Sequence, residues 1–287
     1  MSLPRGLGER CTEVLGLPVL EERFLGGGDI SAARLLRTDR GNFFLKYQET
    51  AGAFPLFDAE AKGLQLMRGL SPIRIPQVLS FGSGEAYAYL LLEYIEPGLA
   101  DNPFWEHFGA ALAAMHSNSA LRFGLEFSNF IGRLPQENAF HDNWPDFYRE
   151  MRLEPQLRLA LSRGLLGSME AGQMARLYKK LPEIFPEEKP ALVHGDLWSG
   201  NFLVSNKQEP VLIDPSVSYA HREMDIAMSR LFGGFDWRFY RSYEEVSPLA
   251  PGVEERIPIY QLYYLLVHLN MFGRGYLSSV REVLGKF

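Results

Sequence analysis

One segment near residue 200 limits the possible folds of this chain more than any other. A short apolar run leads into His194-Gly-Asp-Leu-Trp-Ser-Gly-Asn201, and a second apolar run, Val211-Leu-Ile, ends at Asp214. Short predicted strands at 191–194, 201–204 and 210–214, the last two paired, would bring Asp196, Asn201 and Asp214 together. The alternative is an ordinary β-turn in which Asp196 only caps the turn and Asn201 only occupies the bend. The length of the motif disfavours that alternative.

The spacing of these three residues is typical of phosphoryl transfer from ATP. That reaction needs a carboxylate that orients and deprotonates the acceptor hydroxyl, and oxygen ligands that hold Mg²⁺ on the phosphates. Asp196 is the candidate catalytic base, and Asn201 and Asp214 are the candidate Mg²⁺ ligands. An Asp, an Asn five residues later and then a second Asp repeat the order of a kinase catalytic loop. The segment therefore predicts a kinase that uses ATP and Mg²⁺.

The rest of the chain divides into a part rich in strands and a part rich in helices. The first part, residues 1–95, has predicted strands at about 19–25, 33–37, 41–47, 77–81 and 87–95. A helix at about 56–70 joins the third strand to the fourth, so we expect a five-stranded antiparallel sheet with one main helix. The second part, residues 96–287, has predicted helices at about 104–116, 144–162, 167–181 and 253–276. The fold class is α+β, with an ATP-binding part, 1–95, and a catalytic and acceptor-binding part, 96–287.

Weaker nucleotide-binding signals precede the catalytic segment in the order that a kinase requires. Lys46 lies near the end of a strand, where an ammonium could contact the α- and β-phosphates, and Glu60 could pair with it from the next helix. A solvated lysine and a surface glutamate are the alternative. A glycine triplet lies at Gly26, Gly27 and Gly28. It could let the backbone approach the phosphates, and the alternative is an ordinary hairpin turn. The end of the last strand could offer backbone groups to adenine, or be only a buried strand end; its residues are Glu93, Tyr94 and Ile95.

Charge and cysteine content exclude several classes of partner. With 29 Lys and Arg against 35 Asp and Glu, the net charge is −6, which disfavours nonspecific binding to nucleic acid or to anionic membranes. The longest apolar stretch, about residues 260–272, falls short of the ~20 residues that span a bilayer. A single cysteine, Cys11, and the lack of a signal peptide predict a cytoplasmic protein. The oligomeric state stays open, with a monomer as one possibility.

At these residues the sequence resembles the fructosamine kinase (ketosamine 3-kinase) family, within the aminoglycoside phosphotransferase-like branch of the protein-kinase-like fold. The resemblance covers almost the entire chain and implies a bilobal architecture. The most family-specific segments are Gly28-Asp-Ile-Ser31, Asn129-Phe-Ile-Gly132, Pro135-Gln-Glu-Asn138, His194-Gly-Asp-Leu-Trp-Ser-Gly-Asn201, His221-Arg-Glu-Met-Asp-Ile-Ala227 and Leu231-Phe-Gly-Gly-Phe235.

The resemblance implies ATP-dependent phosphorylation of the C3 hydroxyl of a ketoamine, the Amadori product of a sugar with an amine such as lysine. The 3-phosphate then decomposes and frees the amine, which amounts to deglycation. An aminoglycoside- or choline-type small-molecule phosphotransferase is the alternative. A nucleotide-binding pseudokinase is disfavoured because the charged and metal-binding candidates are all retained. Gly195 stands where protein kinases place Arg, which disfavours a regulated protein kinase.

The resemblance also suggests acceptor-side residues. Trp198 is a candidate for packing on the ketoamine chain, with simple core packing as the alternative. A second candidate is a group of three polar residues, His221, Arg222 and Glu223. They could form a polar wall beside the acceptor, or they could only cap a helix and carry surface charge. Asp225 is expected to brace the catalytic loop by accepting backbone hydrogen bonds. A tyrosine-rich stripe at helical spacing near residues 260–271 is interpreted as core.

Overall fold

A five-stranded antiparallel sheet forms first along the chain in the computed structural model, which describes residues 3–27 and 31–287. Its strands lie in the spatial order β1-β2-β3-β5-β4. They are β1 (Glu21–Gly27), β2 (Ala32–Thr38), β3 (Gly41–Gln48), β4 (Val78–Ser83) and β5 (Ala88–Glu93). The predicted antiparallel sheet is confirmed.

Local sequence fixes the register of the central strands. A two-residue turn joins β2 to β3, where Thr38 pairs with Gly41. The Thr38 hydroxyl closes this turn by accepting from the backbone N–H of Arg40 and donating to the Gly41 carbonyl. In this register Lys46 lies opposite Leu90 of β5. Strand β5 is buried from Ala88 to Leu92, as its unbroken apolar sequence predicts.

One helix packs on each face of the sheet. Helix α1 (Leu7–Leu15) buries Leu7 and Cys11 against residues of the outer face. Helix α2 (Phe54–Leu70) covers the other face with apolar side chains at helical spacing; they include Phe57, Ala61, Leu64 and Met67. Because α2 continues into the main apolar core, it links the sheet to the rest of the molecule.

After β5 the chain is mainly helical, which confirms the α+β fold class. The helices are α3 (Asn102–His116), α4 (Trp144–Phe147), α5 (Glu154–Ser162), α6 (Ser168–Ile184), α7 (Glu223–Leu231), α8 (Trp237–Val246), α9 (Val253–Phe272) and α10 (Leu277–Leu284). None of the helices in the described residues has both the length and the apolarity needed to cross a membrane.

Within residues 3–27 and 31–287, three short antiparallel pairs lie between these helices. They are β6 (Asn129–Ile131) with β7 (Leu134–Gln136), β9 (Phe202–Val204) with β10 (Pro210–Leu212), and β8 (Ala191–Val193) with β11 (Ser218–Ala220). The last two pairs hold the segment around residues 194–214 in place. Strands β6, β7 and β11 are not predicted from the sequence, because each has only three residues and one of them is polar, whereas β8, β9 and β10 are continuous apolar runs.

Two helices differ from their predicted form. The predicted helix at 144–162 is interrupted by a π-helix, Tyr148–Leu153, between α4 and α5. The predicted helix at 253–276 ends at Phe272, because Gly273 leaves helical geometry and a 3₁₀ turn follows. Within α9 the predicted core stripe is largely confirmed, since Tyr260, Tyr263 and Tyr264 are buried.

The segment that follows β5 lies tightly against the β9–β10 pair. The Gly98 N–H donates to the Val204 carbonyl, and the Asn206 N–H donates to the Glu96 carbonyl. A Cβ at residue 98 would come within 2.1 Å of the Ser205 carbonyl oxygen, so only glycine fits there. The division into residues 1–95 and 96–287 stays a prediction.

Candidate active site

A cavity of about 980 Å³ lies between the five-stranded sheet and the helical part of the chain. We call the residues up to the end of β5 its sheet side and the residues after β5 its helical side. Three of the predicted site residues, Asp196, Asn201 and Asp214, line the helical side, and Lys46 and Glu60 line the sheet side. The fold therefore brings together residues up to 168 positions apart in the sequence.

The loop that carries Asp196 is held by a buried carboxylate beneath it. Asp225, in α7, accepts hydrogen bonds from the backbone N–H groups of His194 at 2.7 Å and Gly195 at 2.8 Å. This confirms the predicted bracing role of Asp225. Gly195 has φ +82°, and a Cβ there would come within 2.2 Å of the Ser216 carbonyl oxygen. The loop conformation thus requires glycine at 195.

Asp196 is oriented by its neighbour Asn201. The Asn201 side-chain amide donates to the Asp196 carboxylate oxygen Oδ2 at 3.0 Å and to the Asp196 backbone carbonyl at 2.9 Å. Burial, assisted by repulsion from Asp214, raises the pKa of Asp196 to about 7. A carboxylate with a pKa near neutrality is suited to accept a proton from a hydroxyl.

Asp214, Lys46 and Glu60 form one ionic cluster across the cavity. The Lys46 ammonium lies 2.7 Å from Asp214 Oδ1 and 3.0 Å from each Glu60 carboxylate oxygen. Burial opposes the charge on Lys46, but the two carboxylates outweigh burial and raise its pKa. Burial also opposes the charge on Asp214, where attraction to Lys46 prevails and lowers the pKa. Burial raises the pKa of Glu60 to about 8.

The chemistry of Asn201 and Asp214 fits a Mg²⁺ ion. Asn201 engages its amide nitrogen with Asp196, so its carbonyl oxygen is the atom left for a cation. Asp214 follows β10 with a left-handed φ of 52°, and its side chain is 41% exposed where it lines the cavity. A carboxylate and an amide oxygen are hard ligands of the kind that Mg²⁺ prefers.

The predicted nucleotide-binding residues lie along the sheet side, and those of the last strand line the cavity: Glu93, Tyr94 and Ile95. The carboxylate of Glu93 is occupied by Arg74, at 2.5 Å, and by the backbone N–H of Gln77. The Glu93 side chain is therefore not left for a base, whereas backbone groups of residues 94 and 95 are. Gly26 and Gly27 end β1, paired with Ala33 and Ala32. Gly28 lies outside the described residues.

An aromatic surface forms the far end of the cavity on the helical side. Trp198 lines it and is 38% exposed, so core packing does not describe this residue. Its ring meets Phe232 edge-on at 6.4 Å, and Phe232 contacts the ring of His268 at 4.8 Å. We call this region the acceptor end. Val267 and Met271 line this end although they belong to the stripe that the sequence analysis interprets as core. The other lining residues were not singled out from the sequence: Phe130, Ile131, Phe232, His268, Phe272 and Tyr276. The signal that was available is that several of these lie within family-specific segments.

The predicted polar wall is not present at the cavity. His221 is fully buried against Tyr260, with ring centroids 5.5 Å apart, and burial lowers its pKa to about 4. Arg222 pairs with Glu188, and Glu223 pairs with Arg256. The prediction for these residues was wrong because α7 begins at Glu223 and directs the three side chains into ion pairs and core contacts away from the cavity.

Comparisons with known proteins agree with this geometry. A sequence model of the fructosamine kinase family matches residues 10–287. The chain is 40% identical to "Probable ketoamine kinase" from Enterococcus faecium over 91% of this chain and 93% of that protein. It is 37% identical to the chloroplastic protein-ribulosamine 3-kinase of Arabidopsis thaliana over 92% of this chain and 81% of that protein.

Solved structures show the same fold. A "putative fructosamine-3-kinase" from Thermobifida fusca superposes with a TM-score of 0.88 at 33% identity, covering 99% of this chain and 98% of that chain. Aminoglycoside phosphotransferase APH(4)-Ia, solved as a ternary complex with ADP and hygromycin B, gives a TM-score of 0.64 at 17% identity, covering 98% of this chain and 96% of that chain. The similarity to the aminoglycoside phosphotransferase concerns the fold alone.

Proposed function

The chain belongs to the fructosamine kinase family, and on that premise we propose that it transfers the γ-phosphate of ATP to the C3 hydroxyl of a ketoamine. Decomposition of the 3-phosphate would then release the amine and complete deglycation. One observation carries the proposal: a single cavity holds a candidate base, Asp196, and an ionic cluster of Lys46, Glu60 and Asp214. This set supplies what phosphoryl transfer needs from the protein.

Asp196 is the proposed base. Its carboxylate would accept the proton of the C3 hydroxyl as the hydroxyl oxygen bonds to the γ-phosphorus and the bond from that phosphorus to ADP breaks. Asn201 fixes the orientation of this carboxylate through the 3.0 Å hydrogen bond. A pKa of about 7 lets Asp196 be deprotonated before the reaction and take up a proton during it.

Lys46 is the proposed contact to the nucleotide phosphates, and Glu60 holds it in place from α2. Asn201 and Asp214 would hold Mg²⁺, which when bound neutralises charge on the phosphates. Backbone groups of residues 94 and 95 would receive the adenine. We propose residues 1–95 as the ATP-binding lobe and 96–287 as the catalytic and acceptor-binding lobe. A cytoplasmic location is proposed too, supported by the free, buried thiol of Cys11.

The acceptor end favours a ketoamine over a polycationic aminoglycoside. A polycation needs several carboxylates to bind it. Beyond Asp196, the described lining of the acceptor end is mainly aromatic and apolar, and its polar members, Asn129, Ser216 and His268, carry no carboxylate. Asp214 is already paired with Lys46, so it offers little to an acceptor. Trp198 gives the methylene chain of a lysine-type ketoamine a flat apolar surface.

A panel of acceptors tests this proposal. Purified protein with Mg²⁺ and ATP is assayed with ribuloselysine, fructoselysine, a glycated protein, choline and an aminoglycoside, and kcat/KM is compared. We expect the ketoamines to be the best acceptors and ³¹P NMR to identify a 3-phosphate. Turnover of choline or the aminoglycoside without turnover of any ketoamine would overturn the acceptor assignment.

The variant Asp196→Asn tests the base within the same assay. We expect kcat to fall by about 10³-fold, since the amide keeps the size of the carboxylate but cannot accept the proton. Asp58→Asn is the matched control, because Asp58 is a surface carboxylate that pairs with Lys62; it should retain full activity. Undiminished turnover in Asp196→Asn would exclude the proposed mechanism.

A further inference from the structure

The π-helix between α4 and α5 brings a buried arginine behind the acceptor end. Turns of this kind are rare and occur frequently at functional sites. Arg152 lies on this turn and is 2% exposed. Its guanidinium is 4.6 Å from the ring centroid of Phe147 and 5.9 Å from that of Tyr263. A charged group is thus enclosed by aromatic rings.

Arg152 has only neutral hydrogen-bond partners among the residues that the structure describes. Nη1 donates to the backbone carbonyls of Glu137 and Met151, and Nη2 donates to Asn138 Oδ1 at 2.7 Å and Ser218 Oγ at 3.1 Å. A buried cation without a carboxylate partner is costly, and an apolar residue of similar volume often serves stability as well or better. Packing alone therefore does not explain the arginine.

Arg152 sets the orientation of two buried side-chain amides. A guanidinium only donates, so it fixes Oδ1 of Asn138 toward itself. Asn138 Nδ2 then donates to Asn129 Oδ1 at 3.0 Å and to the Phe127 carbonyl at 3.1 Å. With its oxygen occupied in this way, Asn129 donates through Nδ2 to the Val217 carbonyl at 2.8 Å. The hydrogen bond from Arg152 therefore determines, through Asn138 and Asn129, which group donates to the backbone carbonyl of Val217.

A second branch fastens the same elements. Gln136 Nε2 donates to Asn129 Oδ1 at 2.8 Å and to the Ser216 carbonyl at 3.2 Å, while the Tyr263 hydroxyl donates to Gln136 Oε1. The Ser216 hydroxyl in turn donates to the Phe130 carbonyl. The β6–β7 pair is therefore bound to residues 216–218, directly beyond Asp214 and Pro215.

We propose that Arg152 is a positioning residue that sets the β6–β7 pair against residues 216–218 and thereby shapes the acceptor end of the cavity. Residues 129–132 of this pair line the cavity, whereas Arg152 does not. The identity of the acceptor rests on the proposed function. The positioning itself rests only on the hydrogen-bond network.

The variant Arg152→Met tests the proposal, because methionine fills the space without donors. We expect the KM for the ketoamine to rise about tenfold or more, since small misplacements of a reactant are costly, while the KM for ATP changes less than about twofold. Arg256→Met is the matched control, since Arg256 is 4% exposed and pairs with Glu223 away from the cavity. It should lower thermal stability without changing the ratio of the two KM values. The same unchanged ratio in Arg152→Met would overturn the proposal.

Asn138→Asp keeps the test decisive if Arg152→Met does not fold. Aspartate still accepts from Arg152 but cannot donate to Asn129, so the ketoamine KM should again rise selectively. Wild-type kinetics in this variant would overturn the proposal. Amide hydrogen exchange provides a readout that does not depend on the substrate: exchange should become faster in residues 129–136 and 216–220 of both variants, and unchanged exchange would contradict the positioning role. A wild-type protein inactive on every ketoamine would instead count against the proposed function alone.

Discussion

On the sheet side of the cavity, Lys46 is held by the carboxylates of Glu60 and Asp214; on the helical side, Asp196 stands on a loop whose backbone N–H groups donate to buried Asp225. The first arrangement consists of long side chains whose charges can exchange partners when a nucleotide brings new charges. The second consists of backbone hydrogen bonds inside the core, which hold one geometry. The comparison suggests that the proposed base is pre-organised, whereas the proposed phosphate contact is rearranged on binding.

The strongest test of the helical side is Asp225→Ala. Removing the carboxylate leaves two buried N–H groups without an acceptor and removes the 3.1 Å contact to His116. At ~1–3 kcal/mol for each orphaned group, we expect about 4 kcal/mol less free energy of unfolding. Urea denaturation measures this loss. Asp101→Ala removes a carboxylate that caps α3 through one N–H and should cost only about 1 kcal/mol. Equal losses in the two variants would show that the buried carboxylate of Asp225 stabilises the fold no more than an ordinary helix cap does.

Lys46→Met addresses the sheet side and should show the opposite pattern. We expect kcat/KM for ATP to fall about 100-fold, because a charged group aimed at the phosphates is lost. The free energy of unfolding should fall by less than in Asp225→Ala, because Asp214 is 41% exposed and burial already favours the protonated form of Glu60. Lys62→Met, at an exposed pair with Asp58, is the control. A loss of stability as large as that of Asp225→Ala would show that the ionic cluster is a structural core.

The pH dependence of activity tests whether Asp196, on the helical side, is the base. Because its pKa is raised to about 7, the base is mostly protonated and inactive below that pH and mostly deprotonated above it. We expect kcat/KM for ATP, measured with the concentration of fully ionised ATP held constant, to be about tenfold lower at pH 6 than at pH 8. The residual activity of Asp196→Asn should lack this dependence. A wild-type profile that is flat from pH 6 to 8 would contradict the assignment.

The smallest effect is expected where the two sides meet, at Arg74. This residue pairs with Glu93 at the end of β5 and lies 3.7 Å from Glu209 beyond β9. Both groups of the Glu93 pair are about one-third exposed, so Arg74→Gln should cost only about 0.5 kcal/mol of stability. It should raise the KM for ATP about twofold, measured by initial rates. A change in the KM for the ketoamine instead would indicate that this contact belongs to the acceptor end.

Much of the fold and the proposed machinery could be predicted because their signals are local. Asp196, Asn201 and Asp214 lie within 19 positions of sequence and are flanked by apolar strands. Strand β5 and helix α2 have continuous apolar patterns whose period identifies the element. The contact of Lys46 with Glu60 follows from a strand and helix that are neighbours in sequence.

Apart from Trp198, the acceptor end could not be predicted because its geometry depends on contacts between distant residues. The hydroxyl of Tyr263 reaches Gln136 across 127 positions, and no periodicity reports such a contact. His221 and Glu223 are polar residues next to the catalytic segment, yet both are fully buried. Polar residues are exposed only on average. Here His221 is buried because its ring packs against Tyr260, and Glu223 is buried because it forms an ion pair with Arg256.

The glycine at position 195 has a consequence for control. A side chain there would strike the Ser216 carbonyl, and the backbone conformation itself disfavours any other residue. Protein kinases place an arginine at this position, and phosphorylation of a kinase activation loop acts through new arginine–phosphate pairs. Here the space for that arginine is filled by the main chain. At this position the chain has no arginine that could receive a phosphate, and the loop is held instead by its own backbone hydrogen bonds to Asp225.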